Sequence, residues 1–218
     1  MHITELEFGS FLTYSPHGKS ETELRSKTVM TELKNDKYIT LSSNQILMSK
    51  YLAEGIKKYL DTLPFAEYFR VNPILIPTPK SSLSKSNTIW VPQRLASALV
   101  DEGLGIAIKS LLQREKSVTK SSTSLPENRP KAIDHYNSMA VKETLDDPRD
   151  ILLVDDVITR GATLLGAANK LADAFPNARI RAFAFMRTMS NPLEFTNIFD
   201  PCKGKITLRD DGCTTRKP

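Results

Sequence analysis

The sequence predicts an α/β fold: a Rossmann-like parallel sheet flanked by helices. Three observations point to it. Ile151, Leu152, Leu153 and Val154 form an unbroken apolar run, which suits a strand covered on both faces. Two acids and a glycine-bearing turn follow, and then Leu164, Leu165, Ala168, Leu171, Ala172 and Phe175 recur at helical spacing. Further short apolar runs at 72–77, 106–112 and 179–187 alternate with amphipathic helical stretches, as strands joined by crossover helices do.

Taken in order, residues 1–40 open with scattered apolar side chains, among them Leu6, Phe8 and Phe11, expected as a short strand or hairpin before a turn at 15–18. Residues 22–34 read as a helix with Leu24, Met30 and Leu33 inward. Ser43 or Asn44 is expected to cap a stronger helix with Ile46, Leu52, Ile56 and Leu60 inside, stopped by Pro64. A strand at 72–77 carries proline at both ends. Pro92 then opens a helix over 92–102, with Leu95, Ala96 and Leu99 inward and Gly103 behind it. Trp90, just before it, reads as a packing anchor. A strand is expected over 106–112, and a polar insert over 113–131 reads either as a lid or as a solvated loop. Residues 134–139 show no regular pattern, and 143–149 read as a linker into the central strand. After the strand at 179–187, residues from 191 on read as loop or short strand, and 210–218 as a frayed end.

The 218 residues favour one α/β domain with attached pieces, long enough to bury a core without staples. No run approaches the ~18 apolar residues of a membrane helix, and no basic-then-apolar leader opens the chain. Cys202 and Cys213 are too few for a disulfide framework or a cysteine-only zinc site, so a cytoplasmic setting and ordinary thiols are expected. His2 and His17 have no partner at metal spacing, and His135 reads as structural in preference to a catalytic base. The formal charge of +5 suits an anionic substrate, and no arginine-rich or aromatic-interleaved stripe speaks for nucleic-acid readout.

The chemistry lies in the turn between Ile151 and Thr163. Thr159, Arg160, Gly161, Ala162 and Thr163 sit where amides of a tight turn and a helix N-terminus converge, an arrangement that cradles phosphate. Asp155 and Asp156, when ionised, can only accept hydrogen bonds, which suits the neighbouring hydroxyls of a sugar, directly or through Mg²⁺ and its waters. Phosphate at one end and two hydroxyls at the other describe a ribose 5-phosphate.

Residues 151–163 resemble the phosphoribosyl-pyrophosphate (PRPP) motif of type I phosphoribosyltransferases, from the apolar strand and both acids to the Thr-x-Gly-x-Thr loop. The wider chain resembles the ComF-like branch: the Leu33-Lys34 segment, the Pro-x-Pro loop from Pro77 to Lys80, and Thr119, Leu125 and Arg129 follow its pattern. The branch's N-terminal cysteine zinc module, its Arg-Gly-Phe-Asn-Gln segment near 86–93 and a Gln near Ser122 are missing. The resemblance implies a type I phosphoribosyltransferase fold with a small variable hood over 1–70, a core over 71–190 and an extension over 191–218. It implies a Mg²⁺-dependent enzyme that transfers ribose 5-phosphate from PRPP to a nucleobase or other nitrogen acceptor. Asp155 and Asp156 would act at the ribose and the metal, the loop from Thr159 to Thr163 and Ser81 would bind substrate, and Lys80, Arg114 and Lys116 would meet the leaving pyrophosphate. The alternatives are a non-catalytic PRPP-binding regulator and, by analogy with that branch, a DNA-handling protein. Homo-oligomer formation stays open.

Overall fold

The computed structural model describes residues 1–42, 44–82, 88–118, 129–145 and 147–218. Its centre is a sheet in the order β11-β10-β1-β9-β8-β4-β5, mostly parallel and flanked by helices. The strands are β1 (Glu5–Tyr14), β4 (Ile74–Pro77), β5 (Ala107–Ile108), β8 (Asp150–Ile158), β9 (Arg179–Thr188), β10 (Phe199–Leu208) and β11 (Thr214–Lys217). The first five run parallel, and the β10–β11 hairpin adds two antiparallel strands beside β1. Two short ribbons stand apart: β2 (Tyr38–Leu41) with β3 (Asn44–Leu47), and β6 (Leu112–Arg114) with β7 (Met139–Val141).

Helices cover both faces, as the apolar run at 151–154 requires. On one face α1 (Glu21–Asn35), α2 (Met48–Tyr59), α3 (Ala66–Arg70) and α4 (Val91–Asp101) enclose a core of Leu33, Ile56, Phe65, Leu95, Leu152 and Phe183. The opposite face packs α5 (Ala132–Asn137) and α6 (Ala162–Ala174) over Phe8, Ile76, Ile151, Leu153 and Ile206. Phe183 sits among aromatic rings, with centroids 5.1 Å from Phe65, 5.2 Å from Phe69 and 5.1 Å from Phe185. Gly166 lets α5 lie against α6, because a Cβ there would come within 2.6 Å of the Ala132 carbonyl.

The structure departs from the sequence reading at both ends. The sheet runs across the boundaries expected at 70 and 190: β1 is an inner strand of it, and β10 and β11 continue it. Leu6 and Phe8 alternate with Glu5 and Glu7, the period of a strand with one covered face, and beyond Phe8 both sides are buried. The expected frayed tail is a hairpin, turned by Asp211-Gly212 with Gly212 at φ +77°. Local capping also misled. Asn44 belongs to the β2–β3 ribbon, and α2 starts at Met48, where Asp36 at the end of α1 accepts from the Ser49 amide at 2.9 Å. Asp36 also takes Arg94 of α4 at 3.1 Å, so one buried carboxylate ties three helices. The run at 106–112 splits between β5 and β6, and 132–137 is helical.

Phe183→Ala should destabilise the protein by about 3–5 kcal/mol, since it empties the ring cluster of this core. Urea unfolding followed by tryptophan fluorescence and far-UV circular dichroism measures it, and a loss near zero would place the core elsewhere.

Candidate phosphate and sugar site

The site begins where two neighbouring strands end at different heights. β4 stops at Pro77, opposite Val154, and the Thr78 amide makes a last bond to the Val154 carbonyl at 2.9 Å. β8 continues to Ile158, paired with β9 as far as Arg187. From β4 the chain leaves through α4 towards β5, and from β8 through α6 towards β9, on opposite sides. Such a switch point opens a crevice at the carboxyl ends of the strands. A cleft of about 600 Å³ lies there, lined by Thr78, Lys80, Arg114, His135, Asp155 and Asp156 among others. A smaller pocket of about 100 Å³ adjoins it at residues 157–164 and shares Asp155, Thr159 and Thr163 with it.

The acids lie in the strand and not in the turn expected from sequence, because pairing with β9 keeps the backbone extended through Ile158. Their carboxylates serve the free stretch of β8. Asp155 Oδ1 accepts from the Thr78 hydroxyl at 2.8 Å and the Asp156 amide at 3.0 Å, and Asp156 Oδ1 accepts from the Val157 amide at 2.7 Å. Enclosure in the cleft wall, and next the neighbouring Asp156, raise the Asp155 pKa above the ordinary carboxylate range.

The turn covers 159–161. Gly161 takes φ +86° as the N-cap of α6, and a Cβ there would meet Ile206 of β10 at 2.7 Å, so both conformation and space require glycine. Among the described residues no side chain caps this helix, which leaves its first amides facing the small pocket that Arg160, Gly161, Ala162 and Thr163 line. The Thr159 hydroxyl lies 3.3 Å from that of Thr188, and the Thr163 hydroxyl 3.4 Å from His135 Nε2.

The cations divide. Arg114, 8% exposed, is a wall residue of the cleft and not part of a lid: Nε donates to the Lys80 carbonyl at 3.0 Å, Nη1 donates to the Ser138 hydroxyl, and Nη2 is buried without a partner among the described residues. Burial lowers its pKa to about 10, opposed by the charge of Asp155. Lys80 lines the cleft, where its ammonium holds the Thr88 carbonyl at 2.8 Å and hydroxyl at 2.6 Å. Ser81 lines the cleft as well, whereas Lys116 is exposed and is not among the lining side chains. Trp90 pins this loop, its indole N–H donating to the Thr78 carbonyl at 2.8 Å. Most of the expected lid, with Thr119, Ser122 and Leu125, lies outside the described residues, as do residues 86 and 87 of the 86–93 segment. Arg129 reaches both pockets.

His135 is 3% exposed, with Nδ1 buried and unpartnered among the described residues. Burial, then the charge of Arg114, lower its pKa to about 4, so the ring is neutral at physiological pH. Sequence reading missed the contributions of Thr78, Thr188, Ile206, Thr214 and Arg216; the Asp211-Gly212 hairpin signal was the available pointer to the last three.

No family model matches the chain, and no curated protein does, so the ComF-like resemblance has no support beyond the residues already quoted. Solved structures similar to it include adenine phosphoribosyltransferase from Leishmania tarentolae, 12% identical over 79% of this chain and 90% of that one with a TM-score of 0.35. Hypoxanthine phosphoribosyl transferase from Trypanosoma cruzi is 14% identical over 76% of each chain, TM-score 0.34. Adenine phosphoribosyl transferase from Trypanosoma brucei, in complex with AMP, pyrophosphate and ribose-5-phosphate, is 14% identical over 78% of this chain and 81% of that one, TM-score 0.37. At such identities and TM-scores the α/β assignment rests on this chain's own strand order.

Two opposed pH effects on the unliganded protein follow. Asp155 keeps its proton longer folded than unfolded, so its contribution to stability falls as pH rises from about 4. His135 resists protonation in the fold, so its contribution is present above about 6.5 and is lost as pH falls towards its depressed value. Asp155→Asn should raise the melting temperature at pH 8 with a gain that shrinks towards pH 4, and His135→Gln should flatten the loss between pH 6.5 and 4. Melting curves across pH measure both; an Asp155→Asn gain independent of pH contradicts the assignment.

Proposed function

We propose that this protein is a phosphoribosyltransferase that binds PRPP across the turn between β8 and α6. The observation that carries the reading is the convergence on one crevice of uncapped amides, a carboxylate pair and a buried arginine with a nitrogen that has no partner among the described residues. These three features match the three parts of PRPP: phosphate, ribose hydroxyls and pyrophosphate.

In this reading the amides and hydroxyls from Thr159 to Thr163 hold the 5-phosphate. Asp155 and Asp156 keep one carboxylate oxygen each on the backbone and Thr78, and offer the other to the ribose hydroxyls. The bond from the anomeric carbon to the pyrophosphate oxygen breaks, with its electron pair leaving on pyrophosphate. A bond to the acceptor nitrogen forms, and that nitrogen gives up a proton. Positive charge grows on the ring in between, and the acid pair stabilises it across the low-dielectric cleft. Arg114 Nη2 takes the leaving charge, with Lys80 at the rim. Positioning of the two reactants supplies much of the rest.

Mg²⁺ fits this reading as a substrate-borne ion. Among the described residues no group of three or more His, Cys, Asp or Glu side chains could hold a metal. Two carboxylates suffice for an ion that takes its other ligands from water and phosphate oxygens. Asp155 and Asp156 would hold it, and its contribution when bound is neutralisation of pyrophosphate charge. The acceptor belongs to the far wall of the cleft, towards Tyr14, His17, Lys34 and Ser190, and the reading keeps it as a nucleobase or another nitrogen compound.

Pyrophosphate release from PRPP and Mg²⁺ over a panel of nucleobases tests the enzyme reading. Turnover is expected with one class of acceptor, and Asp155→Asn combined with Asp156→Asn should lower it by about a hundredfold or more. PRPP binding without turnover would favour a regulatory protein, and no binding would end both readings. Arg114→Gln should weaken pyrophosphate binding by about tenfold or more, since a charge-assisted bond is lost. Equilibrium titration checks it, and unchanged affinity would move the leaving group elsewhere.

A further inference from the structure

We propose that the C-terminal hairpin completes the phosphate pocket, with the Thr214 hydroxyl donating to the phosphate of the bound sugar and Arg216 bracing the turn that holds it. The inference rests on the phosphoribosyl reading and adds a binding residue outside the motif.

Strand register brings the hairpin's side chains to the turn. Ile206 pairs with Arg216, and Leu208 with Thr214, so these four side chains share one face of the hairpin. Ile206 touches the place a Gly161 Cβ would occupy. Arg216 donates Nε to the Thr159 carbonyl at 2.9 Å and Nη2 to the Thr188 carbonyl at 2.7 Å, with its guanidinium 5.7 Å from the centre of the Phe8 ring. The first residue of the turn, just past β8, is thereby fastened to a strand four places away from β8 in the sheet.

Thr214 is two residues before Arg216 and lines the small pocket together with residues 157–164. It is 4% exposed, and its hydroxyl is buried with no hydrogen-bond partner among the described residues. A buried hydroxyl without a partner is costly, and most find one in the protein or in a ligand. Here the neighbours are the uncapped amides of a 13-residue helix, which already attract an anion. A phosphate resting on those amides supplies the missing acceptor. Lys131, which also lines the pocket, ties the hairpin down from its tip, its Nζ donating to the Asp211 carbonyl at 2.7 Å. Pocket and hairpin therefore form one unit, and a phosphomonoester is the ligand its chemistry selects.

Calorimetric titration of the 218-residue chain with ribose 5-phosphate and Mg²⁺ tests this, with Thr214→Val and Thr214→Ser beside the wild type. Thr214→Val keeps the shape and removes the unpartnered hydroxyl, so the unliganded protein should melt at the same temperature or higher, while affinity falls about tenfold or more, the scale of one hydrogen bond to a charged group. Thr214→Ser should bind like the wild type. Equal affinity of wild type and Thr214→Val overturns the inference and leaves the phosphoribosyl reading standing. A Thr214→Ser variant as weak as Thr214→Val assigns the loss to packing and overturns the inference too. A wild type that does not bind ribose 5-phosphate removes the reading and the inference together.

Discussion

Beyond Val154, β8 keeps its β9 neighbour but has no strand on its β4 side among the described residues. That difference in length between β4 and β8 makes the crevice, and the rest of the site follows from it. A strand end without a neighbour leaves amides to be satisfied. In that stretch the Asp156 and Val157 amides each donate to the carboxylate of the residue before them. The same acids that complete the backbone then line the cleft. Thr78, the first residue past β4, binds Asp155 and joins the two strands at the point where they part.

The surrounding elements keep that opening in shape. Trp90 and Lys80 hold the loop after β4, one through the Thr78 carbonyl and the other through Thr88. Gly166 lets α5 press on α6, which sets His135 against Thr163 and, through Ser138, orients Arg114. Ile206 and Arg216 hold the turn from the sheet's other end. The result is a wall with polar groups that the bonds among the described residues do not fully satisfy: Arg114 Nη2, His135 Nδ1 and the Thr214 hydroxyl. Keeping such groups buried costs stability, and sites that bind charged ligands commonly carry that cost.

Much of this was legible in the residues. The unbroken apolar run at 151–154 implied a doubly covered strand, and helices do lie on both faces of it. The position of Gly161 ahead of an apolar helical stretch implied the turn, and its left-handed backbone agrees. What the sequence hid was set by distant partners. Asn44 has the chemistry of a cap, yet pairing with β2 keeps it extended and a carboxylate from α1 serves the next helix. Asp155 and Asp156 resemble turn residues, yet pairing with β9 draws them into a strand. Arg114 sits in a polar stretch that suggests solvent, and only the β6–β7 ribbon and Ser138 bury it. The tail from 199 shows alternation too weak to announce ten-residue β10, although Asp211-Gly212 marks its turn.

The central claim is spatial: a sugar phosphate lies on the amides at the start of α6 with its hydroxyls towards Asp155 and Asp156. Electron density from crystals soaked with PRPP and Mg²⁺ tests it most directly. The account predicts a phosphate within hydrogen-bond reach of the amides of residues 160–163, and a ribose whose hydroxyls face the acid pair. Density at another surface, or a turn that stays closed by the protein's own side chains under saturating ligand, would contradict it.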